Sequence, residues 1–270
     1  MFITRLISSV VLVAAALLTI LLGGYVLAVV LLFLSLVAYR ELMKACKLDN
    51  RLQNIGYAGI VVYYLLMVFL EERSYLFLVV VLILMAFLAL YVFTFPKYHA
   101  EQIMSSFFNV AYAPIELSFI YLVRSLPYGQ YSVWMIFISS WICDTCAYLT
   151  GMLIGKHKLS PKLSPKKSIE GAIGGVAGSA LVGALYGYFV VEPVIQEPVT
   201  VAFLVISAVG AVISQSGDLA ASAIKRNHDI KDYGKLIPGH GGVMDRFDSV
   251  IFTAPMVYLL VLIMLHGGGL

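Results

Sequence analysis

Two stretches of the chain gather acids, bases and glycines at spacings suited to phosphate chemistry. The richer one begins at Ser216-Gly217-Asp218-Leu219, where an apolar helix is expected to end, and continues through Ser222, Lys225 and Arg226. Asp218, Ser222 and Arg226 (or Lys225) are spaced to share one helix face. Lys231-Asp232 and Ile237-Pro238-Gly239-His240-Gly241-Gly242 follow, and the stretch closes on Asp245-Arg246-Phe247-Asp248. Asp245 and Asp248 are three apart, so they share a face at the mouth of the last apolar segment. Carboxylates beside lysines and arginines can neutralise one another, and that accounts for Asp229 and Lys235. They can also hold Mg²⁺ while the basic groups hold phosphate, since Mg²⁺ prefers a few carboxylates plus substrate oxygens to an all-protein cage. The three glycines tip the balance, because they let backbone N–H groups approach an anion closely. A loop that only fixes topology needs neither them nor the paired aspartates.

The second stretch is Ser164-Pro165-Lys166-Lys167-Ser168-Ile169-Glu170-Gly171, ahead of Gly174, Gly175 and Gly178. Two ammonium groups and a hydroxyl at a helix amino terminus suit an anion, although the glycines could equally be close-packing residues between membrane helices. Lys156, Lys158 and Lys162 read as topology anchors. Two acids sit within apolar stretches, and an ionisable group at membrane depth is a site candidate by default. Asp144 leads toward the 155–171 loop and is placed to complete a metal site. Glu116 follows Pro114, which frees backbone that its carboxyl could bond, and its role stays open. Cys143 and Cys146 form a C-x-x-C inside an apolar span with no second pair, which favours small packing residues over redox or metal chemistry.

These groups need a frame, and composition says which. Of 270 residues, 61% are apolar and 12% charged, against about 25% charged in a soluble domain. The chain is therefore an all-α, polytopic membrane protein. A span takes about 20 apolar residues as helix, and nine segments qualify, near 6–22, 25–38, 55–70, 75–95, 105–123, 132–154, 172–191, 198–214 and 249–266. Gly23-Gly24 divides the first two, of which the second is short. The first reads as a retained anchor, because its apolar run is longer than a signal peptide's and Ala14-Ala15-Ala16 lies in mid-run.

With nine alternating spans, all 18 Lys and Arg except Arg73 and Arg124 fall beside the amino terminus and the even-numbered loops. That bias makes this side cytoplasmic. The net charge of +3 then reflects topology and attraction for anionic headgroups, with no nucleic-acid partner implied. Residues 1–104 are expected to be membrane scaffold (helices 1–4). Residues 105–270 carry helices 5–9 and the chemistry-bearing loops 155–171 and 215–248.

The run Ser222, Lys225, Arg226, Lys231, Asp232, Pro238, Gly239, His240, Gly241, Gly242, Asp245, Arg246 and Asp248 resembles the signature of the phosphatidate cytidylyltransferases (CDP-diacylglycerol synthases), without departure at any of these positions. The Ser164–Gly171 and Asp144–Tyr148 stretches are similar to other segments of that family. The resemblance thus covers roughly the second half of the chain. It implies transfer of CMP from CTP to phosphatidate, giving CDP-diacylglycerol and pyrophosphate for phospholipid synthesis. Asp218 and Asp245 would hold Mg²⁺, with Asp144 a third carboxylate and Asp248 a further one. Lys166, Lys167, Lys225, Arg226 and Arg246 would bind triphosphate or lipid phosphate. Ser168, Ser222 and the Gly239-His240-Gly241-Gly242 run would line the substrate pocket. The resemblance also implies a homodimer in a bacterial inner (cell) membrane, a site on the cytoplasmic side, and a monovalent cation such as K⁺ beside the Mg²⁺.

Three other readings compete. A secondary transporter of an anionic solute would show paired halves with matching interruptions near the midplane, and none is found. A CDP-alcohol phosphotransferase would carry D-G-x-x-A-R, whereas Asp144-Thr145-Cys146-Ala147-Tyr148 lacks the Gly and the Arg. A CTP-dependent lipid kinase comes nearer, since it would use similar groups to move the γ-phosphate to a lipid alcohol.

Overall fold

The computed structural model describes residues 13–70, 72–237, 241–265 and 267. Eight helices in it are long and apolar enough to cross a membrane. A shorter apolar helix, α1 (Val13–Leu22), precedes them, and residues 6–12 of the first expected span lie outside the described part. The eight are α2 (Gly24–Ala45), α3 (Asn50–Phe69), α4 (Tyr75–Thr94), α5 (Ala100–Arg124), α6 (Gly129–Ile154), α7 (Ile169–Ile195), α8 (Thr200–Asn227) and α9 (Met244–Leu265). Gly23 and Gly24 adopt φ of 62° and 48°, a left-handed turn that glycine accepts without penalty, and this divides α1 from α2.

Two helices outrun their apolar signal. The short segment 25–38 becomes the 22-residue α2, and 198–214 becomes the 28-residue α8. The added residues include Arg40, Glu41, Lys44, Lys225 and Arg226, whose side chains end a hydropathy run yet are good helix formers. At 1.5 Å per residue α8 is about 42 Å long, more than the ~30 Å hydrocarbon core needs. Asp218, Ser222 and Lys225 therefore stand on a continuous helix, not after its end. The departure from an all-helical chain, among the described residues, is a small antiparallel hairpin, β1 (Lys158–Ser160) with β2 (Ser164–Ser168).

The chain divides into two compact units, one of residues 1–121 with 228–246, the other of residues 122–227 with 247–270. In the first, Leu27, Leu42, Met67, Ile83 and Phe87 are buried, while α4 turns Leu78, Leu82, Met85 and Phe93 outward as a lipid-facing helix would. Pro114 has no N–H to give, and α5 relaxes into a wide π turn over Ala111–Ile115, the usual accommodation of proline within a membrane helix. Tyr64 Oη donates to the Pro114 carbonyl at 3.1 Å and meets Ser35 Oγ at 2.7 Å. These polar contacts tie α2, α3 and α5 together where water cannot compete.

In the second unit α7 runs against α6 and α8 along a buried line of small residues, Gly171, Gly175, Ser179 and Gly183. A Cβ on Gly175 would stand 2.9 Å from both the Cys143 carbonyl and Sγ. Ser179 Oγ donates to the Ile138 carbonyl at 2.9 Å, at the opening of the π turn Ile138–Ile142 in α6. The glycines after Ser168 therefore serve helix packing, and Cys143 and Cys146 are free thiols within the same contact.

Candidate active site

In the second unit the chemistry begins where α6 leaves its π turn. Asp144 stands in the first turn of the helical stretch Cys143–Ile154. α8 carries Asp218 and, nearly two turns on, Lys225; α9 brings Asp248. Asp248 lies within electrostatic reach of Asp218, Lys225 and Asp144, so three helices deliver three carboxylates and an ammonium to one neighbourhood. Close backbone approach makes this possible, for a Cβ on Gly217 would stand 2.9 Å from the Asp248 carbonyl.

The hairpin supplies the facing charge. Lys167 Nζ pairs with Asp218 Oδ2, each side chain about a quarter exposed at 26% and 25%. The ammonium nitrogen itself is buried and has no hydrogen bond beyond this pair among the described residues. Ser222 Oγ approaches Asp218 Oδ1 at 3.5 Å. Lys166 is exposed where Lys167 is not, although both border the same cavity. That cavity holds about 550 Å³, and its lining includes Asp144, Lys167, Asp218 and Gln215 together with Tyr148 and Met152. Tyr148 and Met152 are exposed.

The hairpin is held in place by two short-range contacts. Ser168 Oγ accepts the Gly171 N–H at 3.1 Å and caps α7. Glu170 accepts the N–H groups of Lys156 and His157 at 3.1 and 3.2 Å, and its Oε1 lies 2.6 Å from His157 Nδ1. Gln215 Nε2 donates to the Ala172 carbonyl at 3.0 Å, fixing α7 to α8 beside the cavity. Glu170 and Gln215 escape a sequence reading because each looks like an ordinary polar residue near a helix end.

The first unit holds the glycine-rich loop. Pro238, Gly239 and His240 lie outside the described residues, so the pocket role expected of Gly239 and His240 rests on sequence alone. Around them the loop is closed by an isolated bridge between Ile237 and Gly241, with Gly241 at φ 89°. Asp245, 9% exposed, accepts the Tyr233 N–H at 2.8 Å and the Gly242 N–H at 3.0 Å on the same oxygen, Oδ2. Asp245 thus organises the loop from within, one helical turn before Asp248. Arg226 and Arg246 are both exposed.

The structure therefore draws together Asp144, Lys167, Asp218, Ser222, Lys225 and Asp248, with Lys166 on the cavity border. It gives Ser168 a capping contact, and it places Asp245, Arg246, Gly241 and Gly242 in the loop-bearing unit. Among the described residues no three His, Cys, Asp or Glu side chains form a ready metal cage. Asp144, Asp218 and Asp248 nonetheless suit a hard cation that takes one or two carboxylates and completes its shell with water and phosphate oxygens. Such a constellation, on a polytopic membrane frame, defines an enzyme acting on phosphate groups at an apolar boundary.

Comparison with known proteins narrows the class. Residues 3–264 match the model of the cytidylyltransferase family, and the chain belongs to that family. It is similar to the phosphatidate cytidylyltransferase of Staphylococcus aureus (strain COL), at 33% identity over 248 residues, 89% of this chain and 91% of the relative. The protein of the same name from Staphylococcus epidermidis (strain ATCC 12228 / FDA PCI 1200) is 30% identical over 246 residues, again 89% and 91%. That of Staphylococcus saprophyticus is 29% identical over 184 residues, 67% of this chain and 68% of the relative. The resemblance carried by the Ser222–Asp248 motif is thereby borne out, and it extends over nearly the whole chain.

Proposed function

We propose that this enzyme transfers CMP from CTP to phosphatidate, releasing pyrophosphate and forming CDP-diacylglycerol. The observation that carries the reading is the convergence of Asp144, Asp218 and Lys167 on a cavity whose wall also carries Tyr148 and Met152, with Asp248 in electrostatic reach of both aspartates. An amphiphile with an anionic head meets both kinds of residue on such a wall. In the reaction a phosphate oxygen of the lipid forms a bond to the α-phosphorus of CTP as the bond from that phosphorus to the β-bridging oxygen breaks. The electron pair leaves with pyrophosphate. The attacking oxygen is already anionic, so no side chain is required to take a proton from it.

The residues then have positional and electrostatic work, as in other phosphoryl transfers. Lys167 holds a phosphate oxygen with the donors that its pair with Asp218 leaves unused, and Lys166 adds charge at the cavity border. Lys225, Arg226 and Arg246 offset charge on the triphosphate and the departing pyrophosphate, and Ser222 steadies Asp218. Asp144, Asp218 and Asp248 are the carboxylates that suit Mg²⁺, with Asp245 added by the family motif. Bound Mg²⁺ would lower the repulsion between the two polyanions and neutralise the leaving group. Gly239, His240 and Gly241 bind pyrophosphate oxygens through backbone N–H groups and the imidazole, while Gly242, whose N–H is held by Asp245, lines the same pocket. The same reading places residues 1–104 as scaffold and the enzyme as a homodimer in a bacterial inner membrane with the site on the cytoplasmic side. A monovalent cation such as K⁺ would add positive charge beside the Mg²⁺.

The test uses purified protein in mixed micelles with phosphatidate, Mg²⁺ and CTP labelled separately at the α- and γ-phosphates. α-Label entering lipid while γ-label leaves as pyrophosphate is the expected result. γ-Label entering lipid with an alcohol acceptor would make the enzyme a lipid kinase instead, and label in neither product would refute nucleotide transfer.

A further inference from the structure

Glu41 lies in α2, outside the motif-bearing second half of the chain, yet it reaches the glycine-rich loop. It is 8% exposed. Its Oε1 accepts the Val243 N–H at 3.1 Å and its Oε2 accepts the Met244 N–H at 2.9 Å. Met244 is the first residue of α9, so Glu41 supplies to that helix the acceptor that its own sequence does not. Two N–H groups at a helix amino terminus hold a carboxylate well.

The loop is shaped around this side chain. A Cβ on Gly234 or on Gly242 would collide with the Glu41 carboxyl group, so a side chain at either position displaces that carboxyl from its place. Glu41 also interacts electrostatically with Asp245. The Gly242–Asp245 turn is thus clamped by two carboxylates. Asp245 draws the Tyr233 and Gly242 N–H groups inward, and Glu41 holds the next two, Val243 and Met244, from 202 and 203 residues away.

We infer that Glu41 is a positioning residue for the reaction: it fixes the Gly241–Asp245 turn, and through it the nucleotide-phosphate contacts and the orientation of Asp245. Part of the supposed scaffold therefore contributes to turnover. Because this rests on the proposed CMP transfer, the test needs a readout independent of it.

Wild-type protein and Glu41→Gln are compared in micelles for KM of CTP, KM of phosphatidate, Mg²⁺ dependence and melting temperature. Amide hydrogen exchange is followed over residues 241–245. The glutamine keeps one acceptor and turns an N–H₂ toward a backbone N–H. The expected result is faster exchange in that segment and a fall of roughly tenfold to a hundredfold in kcat/KM for CTP, the range for one or two lost charge-assisted hydrogen bonds. The Mg²⁺ requirement should rise, while KM for phosphatidate and the melting temperature stay near wild type. Unchanged exchange together with unchanged CTP kinetics overturns the inference, as does an equal loss toward both substrates accompanied by lower melting.

Should Glu41→Gln not fold, Gly242→Ala is measured alone and combined with Glu41→Asp, which withdraws the carboxylate. Recovery of CTP kinetics in the double variant supports the clamp, and additive losses overturn it. If the wild type moves no CMP, the reaction reading falls, and exchange at 241–245 still decides whether Glu41 holds the turn.

Discussion

Replacing Lys167 and Lys166 separately by Met should injure the enzyme very unequally, although the two are adjacent and border one cavity. Lys167 pairs with Asp218 at about one-quarter exposure, and its nitrogen is buried without another hydrogen bond among the described residues. That lies between a surface pair, worth about 0–1 kcal/mol, and a buried pair, whose disruption costs about 3–5 kcal/mol. A charge-assisted bond to a substrate phosphate contributes about 1.5–3 kcal/mol. Taking about 2 kcal/mol, with 1.4 kcal/mol per factor of ten, Lys167→Met should lower kcat/KM roughly 30-fold. Lys166 is exposed, and an exposed charge worth about 0.2–1 kcal/mol predicts a loss of about fivefold or less. The assay is α-labelled CTP into lipid in mixed micelles, with melting temperature as a folding control. Lys167→Met should also be strongly non-additive with Asp218→Asn, because the two share one contact. Equal losses for the two lysines, or a larger loss for Lys166→Met, would refute the assignment of the phosphate-facing ammonium.

Further predictions concern the frame. Glu116 Oε2 is buried with no hydrogen bond among the described residues, so Glu116→Gln should leave melting unchanged or raise it; a marked fall would reveal a contact that the carboxylate needs. Gly175→Ala inserts a methyl 2.9 Å from Cys143 Sγ and should destabilise by about 1–3 kcal/mol through overpacking, read as lower melting in detergent. Cys146→Ser should keep most activity, with no response to reductant, since Cys146 packs against Gly178 between α6 and α7. Asp49 caps α3, and the Arg51 N–H bond, the Tyr98 hydroxyl and nearby cations hold its carboxyl below the usual range. Its stabilisation is complete above the unfolded value near pH 3.9 and disappears as pH falls through the lower folded value. Asp49→Asn should therefore flatten the acid limb of a melting-versus-pH curve, an effect kept small by the group's exposure.

Composition and periodicity determined the class of this protein, because so apolar a chain can satisfy its backbone only as helices in lipid. The motif at Asp218, Lys225, Asp245 and Asp248 was legible for a related reason: groups of one helix or loop sit at fixed local spacings, and spacing is what a sequence displays. Helix ends were less legible. Hydropathy stops at the first charge, whereas α2 and α8 continue through residues that are polar and helix-forming. The hairpin at 158–168 was hidden too, being too short to establish an alternation.

What tertiary structure alone decided is which distant residues meet. Lys167, not Lys166, pairs with Asp218, a choice that two adjacent lysines do not display and the folded hairpin makes. Asp248 joins Asp144 and Asp218 because α8 and α9 approach closely at Gly217. Glu41 looked like one more charge beside Arg40 and Lys44, yet it holds the turn before Asp245. No local pattern encodes a hydrogen bond across 202 residues; packing brings the partners together, and only there does the carboxylate acquire its function.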